Sequence, residues 1–309
     1  MRETFEAPNA AVFLVATGTA ANALALATLC PPWGAIYCHR GAHVEEDEAG
    51  APEFFTGGAK LVLVDGPDAR MDTDKLGATL DAAAPRGVHN VQRGVVSITQ
   101  ATELGAVYSP SHVRALTETA KAYDLPVHMD GARFSNAIAR LNCSPADMTW
   151  RAGVDALSFG GTKNGLMAVE AVVFFDPKHA WEFELRRKRG AHLFSKHRFL
   201  SAQMAAYLED DLWLELARSA NRAAARLAAG MDRTADVAVE NTVEANMLFA
   251  SMPRRLHVAA HDAGVKYLFH PGDGTLDGDP EERLLFRMVT NWATTDADID
   301  GFLNAIGTG

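Results

Sequence analysis

The chain has 309 residues, 48% hydrophobic and 22% charged, the composition of an ordinary globular protein. A formal net charge of −10 argues against a nucleic-acid binder, which carries a basic face, and no run approaches the ~20 apolar residues of a membrane span. Cys30, Cys38 and Cys143 have neither metal-ligand spacing nor the even count of a disulfide framework. That usage points to a reducing cytoplasm and no bound metal, and the N-terminus lacks the apolar core of a secretory signal.

Through the first two-thirds, short apolar runs alternate with helical ones. Ala10–Ala16 reads as a strand and Gly18–Leu29 as an Ala/Leu-rich helix. Strands follow at Ala35–Cys38 and Lys60–Val64, then a helix over Asp72–Ala84 with Asp72 as its cap. Gly94–Thr99 is a buried strand. Ser109-Pro110 opens a helix that runs to Tyr123, with proline in its first turn. Pro126–Met129, Ala156–Phe159 and Ala168–Phe175 are strands, and Phe134–Leu141 is a helix. This alternation predicts an α/β fold with a largely parallel sheet covered by helices. Beyond it, Ala180–Arg189 is a basic helix and Phe199–Ala229 is mostly helical. Strands at Val237–Val239, Ala245–Ala250, Lys266–Phe269 and Leu284–Val289, with helices at Arg254–Ala263 and Asp296–Ile306, predict a smaller second α/β domain. The division is placed at residues 1–200 and 201–309.

Two strand ends carry chemistry. Lys163 stands in Ser158-Phe-Gly-Gly-Thr-Lys-Asn-Gly165, after an apolar strand and between glycines that let a bulky ligand approach the backbone. Asp130 stands in His128-Met-Asp-Gly-Ala-Arg133, also at a strand end. An amine and an acid at the carboxyl ends of strands in one sheet meet at the crevice where such folds bind ligands. A pyridoxal phosphate enzyme needs this pair: a lysine for the Schiff base and a carboxylate for the pyridinium nitrogen.

The remaining polar groups each admit two readings. Gly18 and Thr19, at the start of the first helix, form a phosphate site, or Thr17 or Thr19 simply caps that helix. His43 stacks on a ring or moves a proton, or pairs at the surface with Glu45–Glu48. His39, His89, His112 and His128 compete with it on local pattern. Asp130 and Arg133 serve a cofactor, or are a helix cap and a surface cation. Arg186–Arg189 is a solvated face or an anion site. Arg287, inside the apolar strand Leu284–Val289, meets a substrate carboxylate or a structural acid.

Taken together, Thr17–Asn22, Ala42–Pro52, His128–Arg133 and Ser158–Gly165 resemble the fold-type I pyridoxal phosphate enzymes, most closely the low-specificity L-threonine aldolases of the β-eliminating lyase group. The resemblance spans nearly the whole chain. It implies that Gly18 and Thr19 grip the cofactor phosphate and His43 stacks on the ring and moves the proton at the substrate hydroxyl. Asp130 then pairs with the ring nitrogen, with Arg133 beside it, and Lys163 holds the cofactor. Arg287 clamps the substrate carboxylate, and Lys188 matches a lysine near the active site. The implied reaction is retro-aldol cleavage of a β-hydroxy-α-amino acid to glycine and an aldehyde, by a homotetramer built from dimers that share sites. Another lyase or racemase activity, or a cofactor-binding remnant, is the alternative.

Two departures stand out. Relatives carry a few dozen residues before the Thr-Gly-Thr region, and this chain begins almost at that strand, a departure that bears on substrate binding and oligomer stability. Many relatives also carry a histidine after the strand at Val95–Ile98. Here the run is Thr99-Gln-Ala-Thr-Glu103, which leaves Thr102 or Glu103 facing the site.

Overall fold

The computed structural model describes residues 1–83 and 87–307. Seven strands form the large sheet: β1 (Ala11–Val15), β2 (Gly34–His39), β3 (Lys60–Val64), β4 (Gln92–Thr99), β5 (Val127–Gly131), β6 (Ala156–Gly160) and β7 (Glu170–Phe174). Their spatial order is β1-β7-β6-β5-β4-β2-β3. β2 to β6 run parallel, as expected. β7 runs antiparallel to both β6 and β1, which no local pattern revealed.

Every residue of β5, β6 and β7 is buried, because helices cover both faces. Alternate residues enter separate cores. Ala35, Tyr37, Ala171 and Val173 join one cluster, whereas Ile36, Cys38, Val172 and Phe174 join the other. The helix Gly18–Leu29 fills the second. It has almost no polar face, and Ala20 to Leu29 are all buried. Asp72 caps the helix Thr73–Ala82 by accepting from the Lys75 amide at 2.9 Å. The expected end of that helix, Ala84, lies outside the described residues.

The second sheet, β8 (Ala238–Val239), β9 (Met247–Pro253), β10 (Leu268–Phe269) and β11 (Arg283–Val289), is antiparallel in the order β10-β11-β9-β8. Its core gathers Leu248, Met252, Leu256, Phe286 and Phe302. The change of core comes later than residue 200. Leu200, Met204, Tyr207 and Trp213 pack into the large-sheet cluster. The helix Leu212–Met231 then crosses over, with Ala223, Leu227 and Met231 in the second core.

Candidate active site

The antiparallel turn of β7 builds the site. β6 ends at Gly160, the short turn Thr162–Asn164 presents Lys163, and β7 returns with Glu170 paired to Gly160 on one side and to Val15 on the other. The ends of β5 and β1 lie at the same edge of the sheet. A cavity of about 340 Å³ opens there, lined among others by Gly18, Thr19, His43, Asp130, Lys163 and Glu170. That volume lies within the usual range of small-ligand sites.

Thr17 is the helix cap and accepts from the Ala20 amide at 3.1 Å. The first-turn amides at Gly18 and Thr19 therefore open onto the cavity at the positive end of a 12-residue helix. A Cβ on Gly18 would meet nothing within 4 Å, so the space beside this backbone is free for a ligand.

Asp130 is 2% exposed and ends β5; it is not a helix cap, because the next helix begins only at Phe134. Its Oδ1 accepts from the Ala132 amide at 2.9 Å and its Oδ2 from Asn22 Nδ2 at 3.0 Å. The same Asn22 nitrogen donates to Glu48 Oε1 at 2.8 Å. Glu48 Oε1 also lies 2.9 Å from His43 Nδ1. His43 thus pairs with an acid from the run that follows it, but with the buried one: Glu45, Glu46 and Asp47 are exposed. The hydrogen bond to Glu48 raises the pKa of His43 above the ordinary imidazole value. Burial pushes the Glu48 carboxyl up, and the hydrogen bonds from His43 and Asn22 pull it back.

Arg133 is buried, not a surface cation, and its Nε has no partner among the described residues. It senses Asp130 at this cavity as well as Glu103 and Arg287, which line a second cavity of about 540 Å³. Arg287 forms no ion pair among the described residues, so the structural-acid reading of it finds no partner. Thr102 is wholly buried in a turn, bonded to the Asp68 carbonyl at 2.9 Å; Glu103 is the member of that run at a cavity wall.

The rival histidines have other occupations. His128 sits between Ser97 and Ser158 at 3.0 and 2.9 Å, and burial drops its pKa to about 4. His39 contacts the Gly66 carbonyl and His112 the Met71 carbonyl, and His89 lies in a separate short turn. Lys188 is exposed on the helix Ala180–Arg189 and is not among the residues that line the cavity. The neighbouring Arg187 is the buried member of that basic run, over the Phe13 ring and 3.2 Å from Glu184.

Asn22, Glu48 and Glu170 were not singled out from sequence. Glu170 accepts the Gly161 amide at 2.7 Å and so ties down the turn that carries Lys163. Burial raises its pKa, and hydrogen bonds from Thr162 and Gly161 oppose that rise.

A lysine on a strand-end turn, a buried carboxylate at the next strand and a helix terminus facing both across one cavity fit pyridoxal phosphate. The fold is that of the fold-type I enzymes that use this cofactor. The family model described as Beta-eliminating lyase matches residues 1–253, and the chain belongs to that family. It is 44% identical over 276 residues to the low specificity L-threonine aldolase of Pseudomonas aeruginosa, spanning 88% of this chain and 78% of that one. It is 41% identical over 301 residues to the low specificity L-threonine aldolase of a Pseudomonas species, spanning 96% and 82%. The solved structure of Leishmania major threonine aldolase superposes with a TM-score of 0.88 at 25% identity, covering 99% of this chain and 86% of that chain. The chain is a pyridoxal phosphate-dependent lyase.

Proposed function

We propose that this lyase cleaves β-hydroxy-α-amino acids, L-threonine, L-allo-threonine and phenylserine-like compounds among them, to glycine and an aldehyde. The observation that carries the reading is the meeting of Lys163, Asp130, His43 and the Gly18–Thr19 amides on one cavity. The relatedness to two L-threonine aldolases supports the choice of reaction.

Bound pyridoxal phosphate supplies an electron sink for the carbanion left when the Cα–Cβ bond breaks. The residues supply the rest. The Gly18 and Thr19 amides and the helix terminus hold the phosphate. Lys163 would hold the cofactor through its amine. Asp130, fixed by Asn22 and Ala132, keeps a proton on the ring nitrogen. His43 accepts the β-hydroxyl proton, which starts bond cleavage. Arg287, which has no ion-pair partner among the described residues, and the buried Arg133, which senses it, receive the substrate carboxylate.

Product analysis with L-threonine tests the reaction. Glycine plus acetaldehyde is expected; 2-oxobutanoate would mark an eliminating activity, D-threonine a racemase, and cofactor binding without turnover a remnant.

The protein works in the cytoplasm as a homo-oligomer, a dimer of dimers. Its cysteines are unpaired, and no helix among the described residues is long and apolar enough to cross a membrane. Phe54, Trp181, Trp33 and Phe199 are large apolar side chains at least 65% exposed, the kind of surface that association covers. Light scattering of the purified protein checks this: a monomer mass would contradict it.

A further inference from the structure

Four acids follow His43, and only one turns inward. Glu45, Glu46 and Asp47 are exposed, whereas the Glu48 side chain has no solvent exposure at all. Burying a carboxylate is costly unless its lone pairs are used. Glu48 Oε1 accepts from two directions, His43 Nδ1 at 2.9 Å and Asn22 Nδ2 at 2.8 Å, while its buried Oε2 has no partner among the described residues. Asn22 spends its second amide hydrogen on Asp130 Oδ2 at 3.0 Å. One amide therefore separates two buried carboxylates that would otherwise repel, and a continuous chain of hydrogen bonds runs His43–Glu48–Asn22–Asp130.

We propose that Glu48 is the positioning residue of this site. It holds the proton of neutral His43 on Nδ1, leaves Nε2 as the atom that accepts the substrate proton, and locks the ring in register with Asp130 through Asn22. The inference rests on His43 being the proton acceptor. Its chemistry is that of any buried carboxylate on one imidazole nitrogen: the tautomer is fixed, and the imidazolium that forms as the proton arrives is stabilised. The charged groups facing His43 are Glu48 from its own segment, Asp130 from β5 and Lys163 from the turn after β6. Two acids against one amine favour protonation of His43, and Glu48 is the one in direct contact.

The test is histidine NMR on the full-length holoenzyme, labelled with ¹⁵N-histidine and assigned by the signal lost in His43→Gln. It is paired with the pH profile of kcat/KM for threonine cleavage. In the native protein His43 shows the Nδ1–H tautomer and a pKa above the ordinary value. In Glu48→Gln the charge is gone, the tautomers mix, and the His43 pKa falls toward the ordinary imidazole value. The rate rises with pH as His43 loses its proton, so the acid limb of the profile moves down by the same amount. Glu48→Asp keeps the charge and retains most of the raised pKa, which separates charge from packing if the glutamine variant is poorly folded. An unchanged tautomer and pKa in Glu48→Gln overturns the proposal. A shifted His43 titration with an unmoved acid limb upholds positioning by Glu48 and instead overturns His43 as the acceptor.

Discussion

Replacing Gly18 by alanine separates cofactor binding from folding. A Cβ there meets nothing within 4 Å, and the residue is not in a left-handed conformation. Alanine is also the better helix former, so the cofactor-free variant keeps its stability within ~0.5 kcal/mol or gains slightly. The methyl group nevertheless enters the space where the phosphate approaches the first-turn amides. Losing one hydrogen bond to a charged group costs about 1.5–3 kcal/mol, a roughly ten- to hundredfold rise in the dissociation constant of pyridoxal phosphate. The assay is titration of cofactor-free protein followed by visible absorbance, beside thermal melting of the same preparation. Affinity within twofold of the native protein, at equal stability, would refute the assignment of Gly18 to the phosphate.

Gly160→Ala should do the opposite and damage both properties. Its Cβ would sit 2.3 Å from the Ala132 carbonyl oxygen, where ordinary contact begins at 3.4 Å, so the backbones must part by 3.4 − 2.3 = 1.1 Å. Overpacking of this kind costs roughly 1–3 kcal/mol, and a displacement of about 1 Å between Lys163 and Asp130 costs roughly 10²-fold in kcat; native-like melting and turnover would contradict the packing argument. Arg287→Lys should raise KM for threonine roughly tenfold or more while kcat changes little, since it weakens a contact made throughout the reaction. Initial-rate kinetics check this, and an unchanged KM would remove Arg287 from the substrate site. His128 is buried neutral with its pKa lowered from 6.5 to about 4. The unfolded chain therefore takes up a proton that the folded chain refuses. That contribution is fully present above pH 6.5 and is lost as pH falls toward 4, by about 2.5 units or ~3 kcal/mol. Urea unfolding across this range should show a shallower pH slope for His128→Gln than for the native protein, and equal slopes would refute it.

The sequence made most of the scaffold legible where one period dominates. The helices Gly18–Leu29, Phe134–Leu141 and Ala180–Arg189 fall where pattern and caps placed them. Asp130, Lys163, His43, Gly18 and Thr19 meet on one cavity because each follows a recognisable strand end or opens a helix. The short helices His43–Glu46 and Ala51–Thr56 were missed, because an acidic run with Gly50 and Pro52 reads as a solvated loop. That same feature hid Glu48: nothing local distinguishes the one inward acid among four, and its burial depends on Asn22, 26 residues away. Glu170 was hidden by the reversal of β7, a tertiary choice that turns the start of an apolar strand into a cavity wall. Arg187 rather than Lys188 faces inward on its helix, because the buried stripe follows Phe183 four residues earlier.

The central claim is that Lys163 holds the cofactor at the cavity it shares with Asp130. Borohydride reduction of the holoenzyme, followed by peptide mapping, tests it most directly. The pyridoxyl modification is expected on the peptide containing Lys163, and is expected to disappear in Lys163→Ala. Modification of a different lysine in the native protein would contradict it.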